Sequence, residues 1–217
     1  MLKAHHVYKK YGDLQVLKDI NLHVKKGEVI AIVGASGAGK STLLHILGTL
    51  DRADKGAVEI NGQDVSKLKS DALAQFRNKQ IGFTFQFHNL LPEFSALENI
   101  CMPAFIGGAS KESIQAKALE LMDMLDIAHR REHRPSQMSG GEQQRTAVAR
   151  ALINDPAIVF ADEPSGNLDS KNARELHDLF FRLREDLGQT IVIVTHNQEL
   201  AKQTDRCLEI KDGTILG

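Results

Sequence analysis

At 217 residues the chain has room for one full α/β core and little for two. Its 27 basic and 28 acidic residues leave a net charge of −1, which excludes a whole-molecule attraction to nucleic acid or anionic lipid, while 42% hydrophobic and 25% charged residues exclude disordered and membrane-spanning classes. No apolar run approaches the roughly eighteen residues of a bilayer crossing, MLKAHHVYKKYG lacks a secretory core, and Cys101 and Cys207 belong to no CxxC or Cys/His spacing, so a cytosolic chain with two free thiols is expected.

In chain order, QVLKDINLHV (15–24) and GAVEINGQDV (56–65) are short strand-like pieces with turn residues between them, which predicts an antiparallel β edge. Between them EVIAIV (28–33) is a β-branched apolar run of the buried parallel kind, and Leu43, Leu44 and Leu47 mark the helix behind it. AIVFA (157–161) and TIVIVT (190–195) repeat that strand pattern, with the stripe Leu176, Leu179, Phe180, Leu183 and Leu187 before the last as a core helix. The alternation predicts an α/β fold: a mostly parallel sheet with helices on both faces and the antiparallel edge added. Residues 87–135 break it, and Ile114, Ala118, Leu121, Met122 and Leu125 at helical spacing predict a helical insertion. The expected organisation is one domain over 1–217 carrying a helical subdomain at about 87–150.

The first motif is Gly34-Ala35-Ser36-Gly37-Ala38-Gly39-Lys40-Ser41, GxxxxGK[ST], placed between the strand EVIAIV and the helix STLLHIL. Glycines let backbone N–H groups converge on phosphate oxygens, and the helix start, Thr42 included, adds a favourable dipole. Lys40 reaches the β- and γ-phosphates, and the Ser41 hydroxyl takes a Mg²⁺ position. The pattern predicts a P-loop NTPase core. AIVFADEP then sets Asp162 and Glu163 at a strand end, where Pro164 stops the ladder and the forced turn can aim both acids at one site. Asp162 suits the metal and Glu163 a general base for the attacking water; two solvated turn acids are the plainer alternative.

A second glycine loop opens a helix at Ser139-Gly140-Gly141-Glu142, followed by QQRTAVARAL. With the P-loop and ADEP, this MSGGE segment resembles the signature of the ATP-binding-cassette ATPases, and the likeness runs over nearly the whole chain. Tyr11, Gln86 in FTFQ, SGNLD ending at Asp169, and His196 in IVTHN stand in the family's order. The resemblance implies ATP and Mg²⁺ as cofactors and a homodimer in which the Ser139–Glu142 loop of one cassette closes over the γ-phosphate held by the other. It implies that Tyr11 stacks on adenine, with Tyr8 its nearest competitor, and that Gln86 touches Mg²⁺ or the attacking water. His196 would hold the γ-phosphate and Glu163, and Asp169 would meet the partner's P-loop. The bland uses stay open: a surface glutamine at 86, a strand-end histidine at 196, a helix N-cap at Asp169. Met138 and Glu142 stand where the family usually has Leu and Gln.

In this family the docking surface for two integral membrane permease subunits follows Gln86, here Phe87 to Phe105. Phe87, Leu90, Leu91, Pro92 and Phe94 offer an apolar patch, with Leu91 and Phe94 the better candidates for exposure and core filling the alternative. Within the family, this stretch is most similar to cassettes of bacterial lipoprotein-releasing systems and less so to macrolide-exporter and cell-division cassettes. That likeness implies lipoprotein cargo, no nucleic-acid partner, and a peripheral place on the cytoplasmic face of the inner membrane, held through partners only. His129 and His133, beside Arg130, Arg131 and Arg134, read as a solvated basic face.

Overall fold

The computed structural model describes residues 1–216. The chain divides into two compact units, one made of Met1–Ala74 with the segment from Leu183 onward, the other of Gln75–Arg182.

The first unit carries the antiparallel edge. Strand β1 (Leu2–Tyr11) lies between β2 (Leu14–Val24) and β4 (Lys55–Ile60), with the short β5 (Gln63–Asp64) outside β4. Leu2, Ala4 and Val7 point inward with Leu17, Ile20, Leu22 and Val24 of β2, so a strand with polar residues at most other positions is held from both sides. The pairing shifts between Ala4 and Val7, where His6 takes a positive φ of 49° and its Nδ1 lies 2.6 Å from Asp19 Oδ1.

The parallel part of this unit is built on β3 (Val29–Val33), flanked by β8 (Thr190–Val194) and β9 (Arg206–Lys211), with β10 (Thr214–Leu216) antiparallel to β9. β3 is buried at four of its five residues and β8 at all five, as expected of strands covered on both faces. Helix α1 (Lys40–Leu47) packs against β8 through its buried leucines, and α7 (Gln198–Gln203) against β3.

In the second unit β6 (Ile81–Phe85) pairs in parallel with β7 (Ile158–Asp162), Phe85 opposite Asp162. Helices α3 (Ala96–Ile106), α4 (Lys111–Met124) and α5 (Gly140–Leu152) follow one another through the stretch where a helical insertion is expected. Helix α5 packs on β6 so closely that a Cβ at Gly82 would stand 2.5 Å from the Ala151 carbonyl oxygen. A buried bond from Gln144 Nε2 to Thr84 Oγ1, 2.9 Å, pins the same contact. Two further helices run through the chain, α2 (Ser70–Gln80) and α6 (Ser170–Leu187). Of the expected α6 stripe, Leu176, Leu179, Phe180 and Leu183 are buried; Leu187 is exposed, because it is the helix's last residue. Burial pushes the Cys101 thiol up to about 11, which makes it inert, while Cys207 is exposed.

Candidate functional site

In the first unit the loop between β3 and α1 is shaped by glycines at positions where a side chain would be strained or crowded. A Cβ at Gly34, φ 148°, would lie 2.2 Å from the Ile210 carbonyl oxygen, and one at Gly39, φ 102°, would meet the Leu17 side chain at 2.9 Å. Gly39 caps α1 in the left-handed conformation and brings no side chain to the first turn, where no acid stands. The helix start, the loop's backbone and the Lys40 ammonium are together the kind of donor set an oligophosphate needs. Lys40 Nζ donates to the Gly34 and Ala35 carbonyls at 3.0 Å each, so the cation is folded back over the loop. The loop's flank, Ala35 to Ala38, borders a cleft of about 510 Å³ that Gln15, Lys18, Lys211 and Asp212 also line.

Tyr11 ends β1 in the same unit, half exposed. Its hydroxyl donates to Asp51 Oδ2 at 2.7 Å and also interacts with the Thr42 side chain of α1. Lys9, two residues earlier and buried, donates to Asp51 Oδ1 at 2.8 Å and sits 5.1 Å from the Tyr11 ring centroid. The bond to Asp51 raises the Tyr11 pKa; burial alone would raise that of Asp51, but bonds from Lys9, Tyr11 and the Arg52 N–H lower it instead. His196 follows β8 at the end where β3 enters the glycine loop: Thr195 N–H bonds the Ile32 carbonyl at 3.1 Å, and His196 itself is exposed.

The second unit holds the acids. Asp162 is the last residue of β7 and Glu163 turns out of the strand at φ 47°, left-handed although not glycine and although Pro164 follows. Residues before proline avoid such conformations, which cost of order 1 to 3 kcal/mol and gather at functional sites. Gln86 follows β6, beside β7, and its Nε2 donates to Asn167 Oδ1 at 3.0 Å while Asn167 Nδ2 returns a bond to the Gln86 carbonyl. Asp169 is bound to the start of α6: its Oδ1 accepts from the N–H groups of Lys171 and Asn172, so the N-cap use left open by the sequence is taken in the single chain. Those bonds, with the Asn172 side chain, lower its pKa.

Ser139 begins α5 with a full capping box. Its Oγ accepts from the Glu142 N–H at 3.3 Å, and its own N–H and Oγ–H donate to Glu142 Oε2 at 2.8 and 2.9 Å. Gly141 lies against Asn172, where a Cβ would stand 2.5 Å from Oδ1, and Asn172 is in turn bonded to Asp169. The basic segment before it is not a merely solvated face as expected: Arg130 Nε donates to Glu142 Oε1 at 2.7 Å, and His129 Nε2 stands 3.3 Å from the same oxygen. Burial alone would raise the Glu142 pKa, yet the Arg130 and Ser139 bonds bring it down to about 2. Sequence reasoning missed Arg130, Asn167, Asn172 and the Lys9–Asp51 pair; the i, i+2 spacing of Lys9 and Tyr11 and the i, i+3 spacing of Asp169 and Asn172 are the local signals among them.

The expected docking loop is bonded to α3. Leu91, Pro92, Phe94 and Phe87 are exposed, and Leu90 is half-buried. Buried Asn99 of α3 ties the loop down, accepting from the Leu91 N–H and donating to the carbonyls of Leu91, Phe94 and Ser95. Among the described residues no helix is long and apolar enough to cross a membrane.

Residues 17–166 match the family model described as ABC transporter. The chain is 57% identical over 216 residues to the lipoprotein-releasing system ATP-binding protein LolD of Cytophaga hutchinsonii, covering 100% of this chain and 99% of that one. It is 56% identical over 215 residues to the protein of the same name from Bacteroides thetaiotaomicron, covering 99% of both. Among solved structures, a dimeric bacterial ABC transporter cassette superposes with a TM-score of 0.91 at 40% identity, covering 100% of this chain and 97% of that one. A dimeric post-hydrolysis cassette bound to ADP and phosphate gives 0.90, also at 40% identity, with the same coverage.

Proposed function

The chain belongs to the ABC transporter family of ATP-binding cassettes, and from that premise we propose that it is the ATP-hydrolysing subunit of a bacterial lipoprotein-releasing system. The observation that carries the reading is the end-to-end match, above half identical, to proteins of that name. In it, ATP closes a homodimer of cassettes, and closure drives two integral membrane subunits that extract lipoproteins from the inner membrane. The cassette sits on the cytoplasmic face, held through Phe87 to Phe105.

Tyr11 stacks on adenine, the backbone from Gly34 to Thr42 wraps the phosphates, and Lys40 exchanges its loop carbonyls for phosphate oxygens. Ser41, Asp162 and Gln86 are the oxygen donors suited to Mg²⁺, which when bound offsets phosphate charge. Glu163 takes a proton from the water that attacks the γ-phosphorus, the bond to the ADP oxygen breaks, and His196 holds the water and Glu163 in line. Ser139, Gly140, Gly141 and Glu142 of a second copy seal the γ-phosphate, and Asp169 meets that copy's P-loop. The strained Glu163 backbone and the uncapped, acid-free start of α1 support this assignment.

Replacing Glu163 with Gln should keep ATP binding, slow turnover about a hundredfold or more, and leave an ATP-bound dimer on gel filtration. Wild-type turnover in that variant overturns the base assignment. Cargo is tested with the native complex in proteoliposomes, where ATP should release an acylated lipoprotein to a soluble acceptor.

A further inference from the structure

We propose that Arg130 is a positioning residue for Ser139: it fixes and neutralises the Glu142 carboxylate, so that the serine can exchange that carboxylate for a γ-phosphate. The proposal rests on the composite site proposed above.

In the single chain the two oxygens of Glu142 divide their donors. Oε2 holds Ser139 through N–H and Oγ–H, and Oε1 holds Arg130 and His129. A hydroxyl has one proton to give, so Ser139 cannot donate to Glu142 and to a phosphate at once. Sealing a nucleotide therefore withdraws one donor from Oε2 while a polyanion arrives beside it. Of the groups left on the carboxylate, Arg130 alone carries a fixed positive charge, delivered along a directed 2.7 Å bond. The pair is mostly withdrawn from solvent, with the Glu142 side chain 18% exposed and that of Arg130 32%, so the charge is screened by its partner more than by water. Arg145, the next cation along α5, is engaged by Glu175 and Asp126. The residue here is the charged Glu142, and Arg130 answers its charge.

The test is a double-mutant cycle on the full chain, reading ATPase turnover, ATP affinity of the monomer, and ATP-driven dimerisation in a Glu163→Gln background. Arg130→Ala should lower turnover and dimerisation about tenfold or more, with monomer affinity unchanged. In a Glu142→Gln background the same substitution should change either quantity less than about twofold, and Arg130→Lys should recover most of the loss. An equal loss in both backgrounds, or none in either, overturns the proposal, because Arg130 would then support the fold or nothing. Should Arg130→Ala fail to fold, Arg130→Gln, which keeps donors and removes charge, runs the same cycle. If Glu163→Gln with Arg130 intact forms no dimer with ATP, the composite site falls and this proposal with it; a dimer there, unaltered by Arg130→Ala, defeats the proposal alone.

Discussion

Two helices of this chain open on glycines and treat their first turns in opposite ways. Helix α1 brings neither a cap side chain nor an acid: Gly39 offers none, the first turn holds no carboxylate, and Lys40 adds a cation. Helix α5 has both: Ser139 and Glu142 form a reciprocal box, and Arg130 balances the charge this brings. An anion at α1 displaces the internal contacts of Lys40 with two carbonyls. At α5 it must compete with a carboxylate already in place. On the proposed reading, one start holds phosphate by itself, and the other accepts it only when a second source of binding energy presses it there.

The largest test of that contrast substitutes each loop and reads single-chain binding separately from turnover. If, as proposed, Ser139 acts on a nucleotide held by the other copy, Ser139→Arg should reduce turnover about a thousandfold and leave monomer ATP affinity within about twofold. Lys40→Ala should instead weaken monomer binding itself, about a hundredfold, by removing a charge-assisted bond. Isothermal titration with the monomer and a phosphate-release assay separate the two. Comparable losses of monomer affinity in both variants would erase the distinction drawn here.

Much of this was legible in the residues, and what was not has a physical cause. β3, β7 and β8 were readable because strands buried on both faces become unbroken β-branched runs, and the glycine loops because their spacing is local. β1 was not read, since its polar, bulged LKAHHVYKKY is made a strand by partners on both sides, from β2 and β4. Helix α2 buries none of its side chains and so has no apolar period to detect. Arg130 meets Glu142 across 12 residues and Lys9 meets Asp51 across 42, side-chain pairings that composition and periodicity do not encode. The two readings that needed revision, Leu187 in a core stripe and a merely solvated basic segment, both took a local pattern for a finished environment.

A smaller effect is expected in stability. Gly39→Ala should destabilise the chain by about 1 to 3 kcal/mol, the reverse of the usual gain from glycine to alanine near a helix, because the position needs φ 102° and a Cβ would press on Leu17. Ser139→Ala should cost about 1 kcal/mol, the ordinary loss of an N-cap. Urea unfolding measures both. If Gly39→Ala were neutral, α1 would not be held in the open conformation that sets it apart from α5.

The smallest effect concerns the charge that closes α5. The Glu142 pKa falls from an ordinary 4.5 to about 2 on folding, so the unfolded chain binds the proton more readily than the folded one. Its stabilising contribution is therefore complete above about pH 4.5, declines below that, and is gone as the pH falls through about 2. Other carboxylates titrate in the same range, but they cancel when the chain is compared with its Glu142→Gln variant. The difference in urea midpoint between the two should stay level above about pH 4.5 and shrink steadily in more acid solution. A difference that stays level into the acid range would mean that Ser139 and Arg130 do not grip Glu142 in solution, and α5 would then open as freely as α1.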